Sequence, residues 1–327
     1  MNHNTNTYNG ILETIGHTPL VSLKNLYPEY AINAYAKLEM FNPGGSIKDR
    51  TAYNILQNAI YSGEIDDNTT IIESSSGNMA IGLAQICLKF GLRFIAVVDR
   101  NVNEQTVKIL KTYGAEVNQV KDIYPHPSLL EARLARVQEL LLSIPNSFWT
   151  NQYANRANPE THETTMNEIR TSLGTDLDYL LIATSTCGTL MGCADFISKY
   201  KLPTKIIAVD AVGSLIFQSK PGQRKIPGHG AGRKSQFLDM DKIHHVHHVN
   251  DLGCVNGCNK LLKSEAILAG GSSGALVTAL GAIADQIPEG SNCVMIFSDR
   301  GERYLDTIYS PEWVEMNFKE YNMALAG

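Results

Sequence analysis

An α/β fold of two doubly wound, mainly parallel sheets is predicted by three features of the sequence. Short β-branched runs alternate with amphipathic stretches of roughly 10–15 residues, the signature of βαβ units. The alternation occurs twice, once before and once after about residue 150. Several of the turns between strand and helix are short and rich in Gly, Ser and Thr. Helices that cross between parallel strands cover both faces of a sheet, so the strands read as continuous apolar runs.

Taken in order, residues 48–61 carry helical periodicity behind the turn Pro43-Gly44-Gly45-Ser46. Ile71 and Ile72 lead through Ser74-Ser75-Ser76-Gly77-Asn78 to a predicted helix over 79–90, stopped by Gly91. RFIAVVD at 93–99 is a buried strand, and 103–113 a helix ended by Gly114. A strand over 115–121 and a helix over 129–142 follow. Beyond 148–151 the pattern resumes, with a helix at 160–173, a strand at 179–184, a helix from Leu190 and a strand at 206–210. A helix at 275–285 and a strand at 293–298 close the series. No linker rich in Pro, Gly or Ser separates the halves, so tight packing between them is expected.

Composition narrows the function. The 327 residues are 43% hydrophobic and 19% charged, as in ordinary globular proteins. Lys and Arg number 28 against 33 Asp and Glu, a net charge of −5, which leaves no basic excess for nucleic acid. The longest apolar stretches fall far short of the roughly 20 residues that span a bilayer. Residues 1–10 are polar and Asn-rich, without a basic segment leading into an apolar run, so no signal peptide is expected. Cys87, Cys187, Cys193, Cys254, Cys258 and Cys293 show no zinc-ribbon spacing and are expected to be reduced thiols of a cytoplasmic protein.

Ligands of open α/β sheets bind beyond the carboxyl ends of the strands. Four polar turns lie there: 43–46, 74–78, Ser185-Thr186-Cys187-Gly188-Thr189 and Gly270-Gly271-Ser272-Ser273-Gly274. Each opens a helix, whose free N–H groups and positive dipole end attract anions. A lone turn of this kind is usually a cap; four together point to a small ligand with several anionic groups. Neither a Walker A sequence nor a dinucleotide fingerprint is present. Lys48 falls in the first turn of its helix, where the dipole opposes an ammonium. Two readings stand on chemistry alone. One is a solvated lysine paired with Asp49; the other is an amine of depressed pKa, competent to form a Schiff base.

The string Asn42-Pro43-Gly44-Gly45-Ser46-Ile47-Lys48-Asp49-Arg50 resembles the pyridoxal-phosphate lysine motif of the cysteine synthase family, the fold type II or tryptophan synthase β-like enzymes. Thr18-Pro19-Leu20-Val21, Ser75-Ser76-Gly77-Asn78, Thr186-Cys187-Gly188-Thr189, Gly271-Ser272-Ser273-Gly274-Ala275 and Gly301-Glu302-Arg303-Tyr304-Leu305 resemble further motifs of that family, in family order. The resemblance implies pyridoxal 5'-phosphate as cofactor and Lys48 as its Schiff-base lysine and catalytic base. It implies that Asn78 bonds the ring hydroxyl. Ser185, Thr186, Cys187, Gly188 and Thr189 would form the phosphate loop, and Ser272 would face the pyridine nitrogen. Ser75, Ser76, Gly77 and Asn78 would hold the substrate α-carboxylate. A hydroxyl at the ring nitrogen makes a weaker electron sink than a carboxylate would, which favours β-elimination and β-replacement over transamination. The resemblance further implies a smaller mobile domain over 43–152, a larger cofactor-binding domain of 1–42 plus 153–327, and a homodimer.

The sequence departs from ordinary cysteine synthases at Ser185 and Cys187, where glycines are usual, and at Arg233, where an aromatic is common. These positions, with RLARVQELL at 133–141 and Asn151-Gln152-Tyr153-Ala154-Asn155, resemble a narrower group. These are the N-(2-amino-2-carboxyethyl)-L-glutamate synthases, which make 2,3-diaminopropionate precursors for siderophores such as staphyloferrin B and for antibiotics. That resemblance implies O-phospho-L-serine as donor and L-glutamate as nucleophile. Arg133, Tyr153 and Ser185 are then the candidates to bind the leaving phosphate, against the plainer reading of Arg133 as a solvated helix residue. The cluster His244-His245-Val246-His247-His248 is expected to be a strand with solvated histidines rather than a metal site, since alternation sends adjacent side chains to opposite faces.

Overall fold

The computed structural model describes residues 7–174 and 177–318. In chain order, β1 (Leu20–Ser22) and β2 (Asn33–Leu38) precede α1 (Lys48–Ser62), β3 (Thr70–Ser74), α2 (Asn78–Phe90), β4 (Arg93–Asp99) and α3 (Glu104–Thr112). Next come β5 (Glu116–Val120), α4 (Leu129–Ser143), β6 (Ser147–Trp149), α5 (Ala157–Glu160), α6 (His162–Leu173), β7 (Tyr179–Ala183) and α7 (Gly188–Lys199). The chain continues through β8 (Lys205–Ala211), β9 (His245–Val249), α8 (Asp251–Glu265), α9 (Gly271–Ile283), β10 (Asn292–Phe297) and α10 (Pro311–Asn317).

The strands form two sheets. One has the order β5-β4-β3-β6, all parallel; the other has the order β1-β2-β10-β7-β8-β9, parallel except where β1 pairs antiparallel with β2. This is the α/β, mainly parallel architecture expected from the sequence. Strand alternation sends neighbouring residues into separate cores. In the four-stranded sheet, Ile71, Phe94, Ala96 and Val98 pack with α1 and α2, whereas Ile72, Ile95 and Val97 pack with Val137 and Leu140 of α4. In the six-stranded sheet, Leu181, Val209, Met295 and Phe297 face the layer of α8 and α9; Leu180, Ile182, Ala208 and Ile296 face the side of α7.

Several elements differ from expectation. The helix predicted at 275–285 begins at Gly271, so most of the turn at 270–274 is its first turn. Helices α8 and α9 approach closely there: a Cβ on Gly274 would lie 2.1 Å from the Cys254 carbonyl oxygen. Close packing overrides the poor helix propensity of Gly-Ser-Ser-Gly. The β1–β2 pair and α8 were not anticipated by periodicity. The histidine cluster forms edge strand β9 parallel to β8; His245 is exposed but His247 and His248 are half-buried, not freely solvated. Among the described residues, no three His, Cys, Asp or Glu are grouped to hold a metal ion. All six cysteines are buried and free, and no described helix is long and apolar enough to cross a membrane.

Candidate active site

The carboxyl ends of β3, β7 and β10 converge on one cavity of about 260 Å³. The β2–α1 loop delivers Lys48 to it. Gly45 turns this loop at φ +87°, and a Cβ there would meet Arg303 Nη2 at 2.9 Å. The Ile47 amide donates to the Ser298 carbonyl at 2.8 Å, fastening the start of α1 to the end of β10. Lys48 lines the cavity, and its Nζ makes no hydrogen bond or ion pair among the described residues. Burial pushes its pKa down to about 8, with Cys187 and Glu73 opposing the shift. Desolvation is the largest cause. Asp49 is not its partner: its Oδ2 accepts the Gly44 amide at 2.5 Å, and burial pushes its pKa up to about 7.

Residues 185–189 form the turn into α7. Cys187 sits at φ +64°, a conformation that favours glycine, which accords with glycine being usual here in the resembling family. A Cβ on Gly188 would come within 2.1 Å of Asn158 Oδ1, so only glycine lets α7 start this close to α5. The loop is braced from behind. Asn158 Nδ2 donates to Thr186 Oγ1 at 3.3 Å, Ser235 Oγ donates to the Thr186 carbonyl at 2.7 Å, and Thr189 Oγ1 lies 3.2 Å from His162 Nε2. His162 is fully buried and held neutral by desolvation, its pKa well below the ordinary range.

Residues 74–78 cross the mouth of the cavity. Asn78 donates from Nδ2 to Asp299 Oδ2 at 2.7 Å, and its Oδ1 accepts from Arg303. Arg133 reaches in from α4, with Nη1 3.1 Å from Ser76 Oγ and Nε 3.3 Å from Asp99 Oδ2. Its guanidinium is not solvated, being only 15% exposed. Tyr153 completes this side, and the Arg233 guanidinium covers its ring at 4.2 Å from the centroid. Ser272, from the first turn of α9, lines the same cavity, and its hydroxyl has no partner among the described residues.

The residues that the sequence reading assigned to cofactor or donor line one space: Lys48, the 75–78 segment, Arg133, Tyr153, the 185–189 loop and Ser272; Arg233 and the histidine cluster are not part of that lining. Sequence reasoning missed Asp299, Asn158, His162 and Ser235, which carry no motif, and Glu73, which accepts from Thr150 Oγ1 beneath the site. Arg303 lay within a recognisable segment, but its contacts with Asn78 and Gly44 are long-range and not legible there.

An amine of depressed pKa, a helix start with free amides narrowed by a glycine, and a hydroxyl, all on one cavity, are a donor set that fits pyridoxal 5'-phosphate. The architecture and site together define a fold type II pyridoxal-phosphate protein. The sequence matches the family described as pyridoxal-phosphate dependent enzyme over residues 11–299, and the chain belongs to that family. Its fold is shared with solved enzymes. O-ureido-L-serine synthase is 30% identical with a TM-score of 0.86, over 92% of this chain and 94% of that one. The O-acetylserine dependent cystathionine beta-synthase from Helicobacter pylori is 31% identical with a TM-score of 0.86, over 93% and 99%. Cysteine synthase from Entamoeba histolytica is 32% identical with a TM-score of 0.87, over 94% and 92%.

Proposed function

We propose that the protein catalyses β-replacement on O-phospho-L-serine with L-glutamate as nucleophile. The products would be N-(2-amino-2-carboxyethyl)-L-glutamate, a 2,3-diaminopropionate precursor for a siderophore such as staphyloferrin B or for an antibiotic, and phosphate. The observation that carries this reading is Arg133, half-buried on the wall of the cavity with Nη1 3.1 Å from Ser76 Oγ, in the lining it shares with Tyr153. A dianionic leaving group calls for charge-assisted donors there; an acetyl ester does not.

When bound, the cofactor supplies the electron sink that acidifies Cα of an attached amino acid and lets its β-substituent depart. The protein's residues do the rest. Ser75, Ser76 and the Gly77 and Asn78 amides hold the α-carboxylate. Lys48 takes the Cα proton and later returns it. Arg133, Tyr153 and Ser185 hold the phosphate as the Cβ–O bond breaks and the electron pair leaves with oxygen. The glutamate nitrogen forms the new bond to Cβ and gives up a proton. Movement of a smaller domain, 43–152, over the larger would exclude water from the reacting carbon. We take the working form to be a cytoplasmic homodimer.

The similar enzymes named for O-acetylserine support a second reading, a cysteine synthase. The two separate in one experiment. The holoenzyme is titrated with O-phospho-L-serine and with O-acetyl-L-serine while cofactor absorbance is followed, in native protein and Arg133→Ala. Loss of response to the phosphate ester by roughly 10- to 100-fold with little change for the acetyl ester is expected from one charge-assisted contact. Equal losses on both donors would defeat the assignment, and a native response to the acetyl ester alone would establish the second reading.

A further inference from the structure

A second cavity, of about 810 Å³, opens beside the first and shares with it Ser76, Gly77, Asn78 and Arg133. The shared residues are those proposed to bind the donor's carboxylate and leaving phosphate. We infer that this cavity seats the acceptor amino acid and that Arg224, with His229, binds the acceptor's side-chain carboxylate. The inference rests on the β-replacement reading and names the acceptor class, an amino acid bearing a second carboxylate.

The charges in this cavity leave one guanidinium uncommitted. Arg133 is paired with Asp99, the carboxylate of the cavity wall. Arg303 is spent on Asn78 Oδ1 and the Gly44 carbonyl. Lys225 Nζ is held by Asn317 Oδ1 at 2.6 Å. Arg224 has no carboxylate partner among the described residues. Its Nη1 donates to the His229 carbonyl at 3.0 Å, while its buried Nε finds no acceptor. The guanidinium is held in place, with donors to spare. Gly230 makes room for it: a Cβ there would lie 2.8 Å from Arg224 Nη1.

His229 supplies the second, independent observation. The residue is 1% exposed and lines the cavity, and neither ring nitrogen has a partner among the described residues. Two buried polar atoms left unpaired are costly, and such groups are ordinarily satisfied. Burial and the neighbouring Arg224 keep the ring neutral. A neutral imidazole offers one N–H donor and one acceptor, suited to a carboxylate oxygen and an amine proton. Arg224 and His229 thus bring unpaired donors of two kinds, a guanidinium and a neutral imidazole, to one wall of the cavity. Glutamate fills these positions; glutamine keeps the shape but loses the charge.

The test uses the holoenzyme charged with O-phospho-L-serine and compares glutamate with glutamine as acceptor, in native protein, Arg224→Gln and Arg224→Lys. Two quantities are read: the ratio of kcat/KM for the two acceptors, and the acceptor concentration that half-reverses the donor-induced absorbance change. Both are independent of the fraction of a variant that is folded. Native protein should prefer glutamate by roughly 10- to 100-fold, the worth of a charge-assisted pair. Arg224→Gln should collapse that ratio through a raised KM for glutamate, and Arg224→Lys should restore part of it. An unchanged preference in both variants would overturn the assignment. Reversal of the native signal by sulfide but not by glutamate would refute the β-replacement partner itself, visible without any variant, and the inference would fall with it.

Discussion

Asn78 Nδ2 donates to Asp299 Oδ2 at 2.7 Å, joining the start of α2 to the chain just beyond β10. Each residue belongs to the end of a different sheet, so this bond spans the cleft in which the cofactor is expected to sit. Asp299 is nearly buried, and burial raises its pKa while Tyr304 and Asn78 lower it again by donating to the carboxylate. The amide that the resemblance assigns to the cofactor's ring hydroxyl is therefore oriented by Asp299.

Asp299→Ala should loosen that amide and weaken cofactor retention. A buried hydrogen bond to a charged group is worth about 1.5–3 kcal/mol, or roughly 10- to 100-fold in affinity. Fluorescence titration of the apo-protein with pyridoxal 5'-phosphate measures it. Asp299→Asn should fall between, and an unchanged affinity in Asp299→Ala would remove Asp299 from this role.

As the proposed Schiff-base lysine, Lys48 should set the pH dependence of cofactor capture. Only the neutral amine attacks the aldehyde, and its pKa is pushed down from the ordinary lysine range to about 8. The neutral fraction, and with it the rate of cofactor attachment, should rise across pH 7–9 and level off above, whereas an ordinary lysine would keep rising toward about pH 10.4. Stopped-flow absorbance of apo-protein mixed with cofactor follows the rate. Lys48→Ala should bind the cofactor without becoming fixed to it by borohydride.

Much of this site is legible because its parts must be small. Gly45 and Gly188 are required by backbone conformation or close approach, and such positions stand out as polar Gly-rich turns after apolar runs. The braces behind those turns are not legible. Asn158, His162 and Ser235 act across long stretches of sequence through single hydrogen bonds, and nothing in their local sequence announces it. Strands β3, β4 and β7 were readable because both of their faces are buried. The short β1–β2 pair, with partly exposed positions, lacks that signal. The start of α9 was hidden because its glycines serve the contact with α8 rather than helix propensity.

Cys187 occupies a glycine conformation in the middle of the proposed phosphate loop. Cys187→Gly should keep cofactor affinity within a few-fold, since glycine adopts φ +64° freely. Cys187→Val should lower both melting temperature and cofactor affinity, because a β-branched residue is strongly disfavoured there, by roughly 1–3 kcal/mol. Thermal melts with and without cofactor separate the effects. Equal behaviour of the two variants would mean that the thiol, not the backbone, is what the position requires.

Glu73 is 1% exposed and sits beneath the site, with Thr150 Oγ1 2.5 Å and the Gln152 amide 3.3 Å from its Oε2. Burial pushes its pKa up to about 7. A carboxyl raised in the fold favours the native state fully below its unfolded pKa and loses that contribution as pH rises through the folded value. Between about pH 4.3 and 7, native protein therefore binds more protons than unfolded chain, and this group makes stability fall with rising pH. Glu73→Gln removes the titration while preserving a hydrogen-bonding side chain of the same length. Its stability relative to native protein should improve from pH 5 to pH 8, by up to about 3 kcal/mol if no other group compensates. Denaturant unfolding of the apo-proteins at the two pH values gives the difference directly. A relative stability that does not change with pH would mean that Glu73 is ionised throughout, and its charge would then belong to the field that Lys48 experiences at neutral pH.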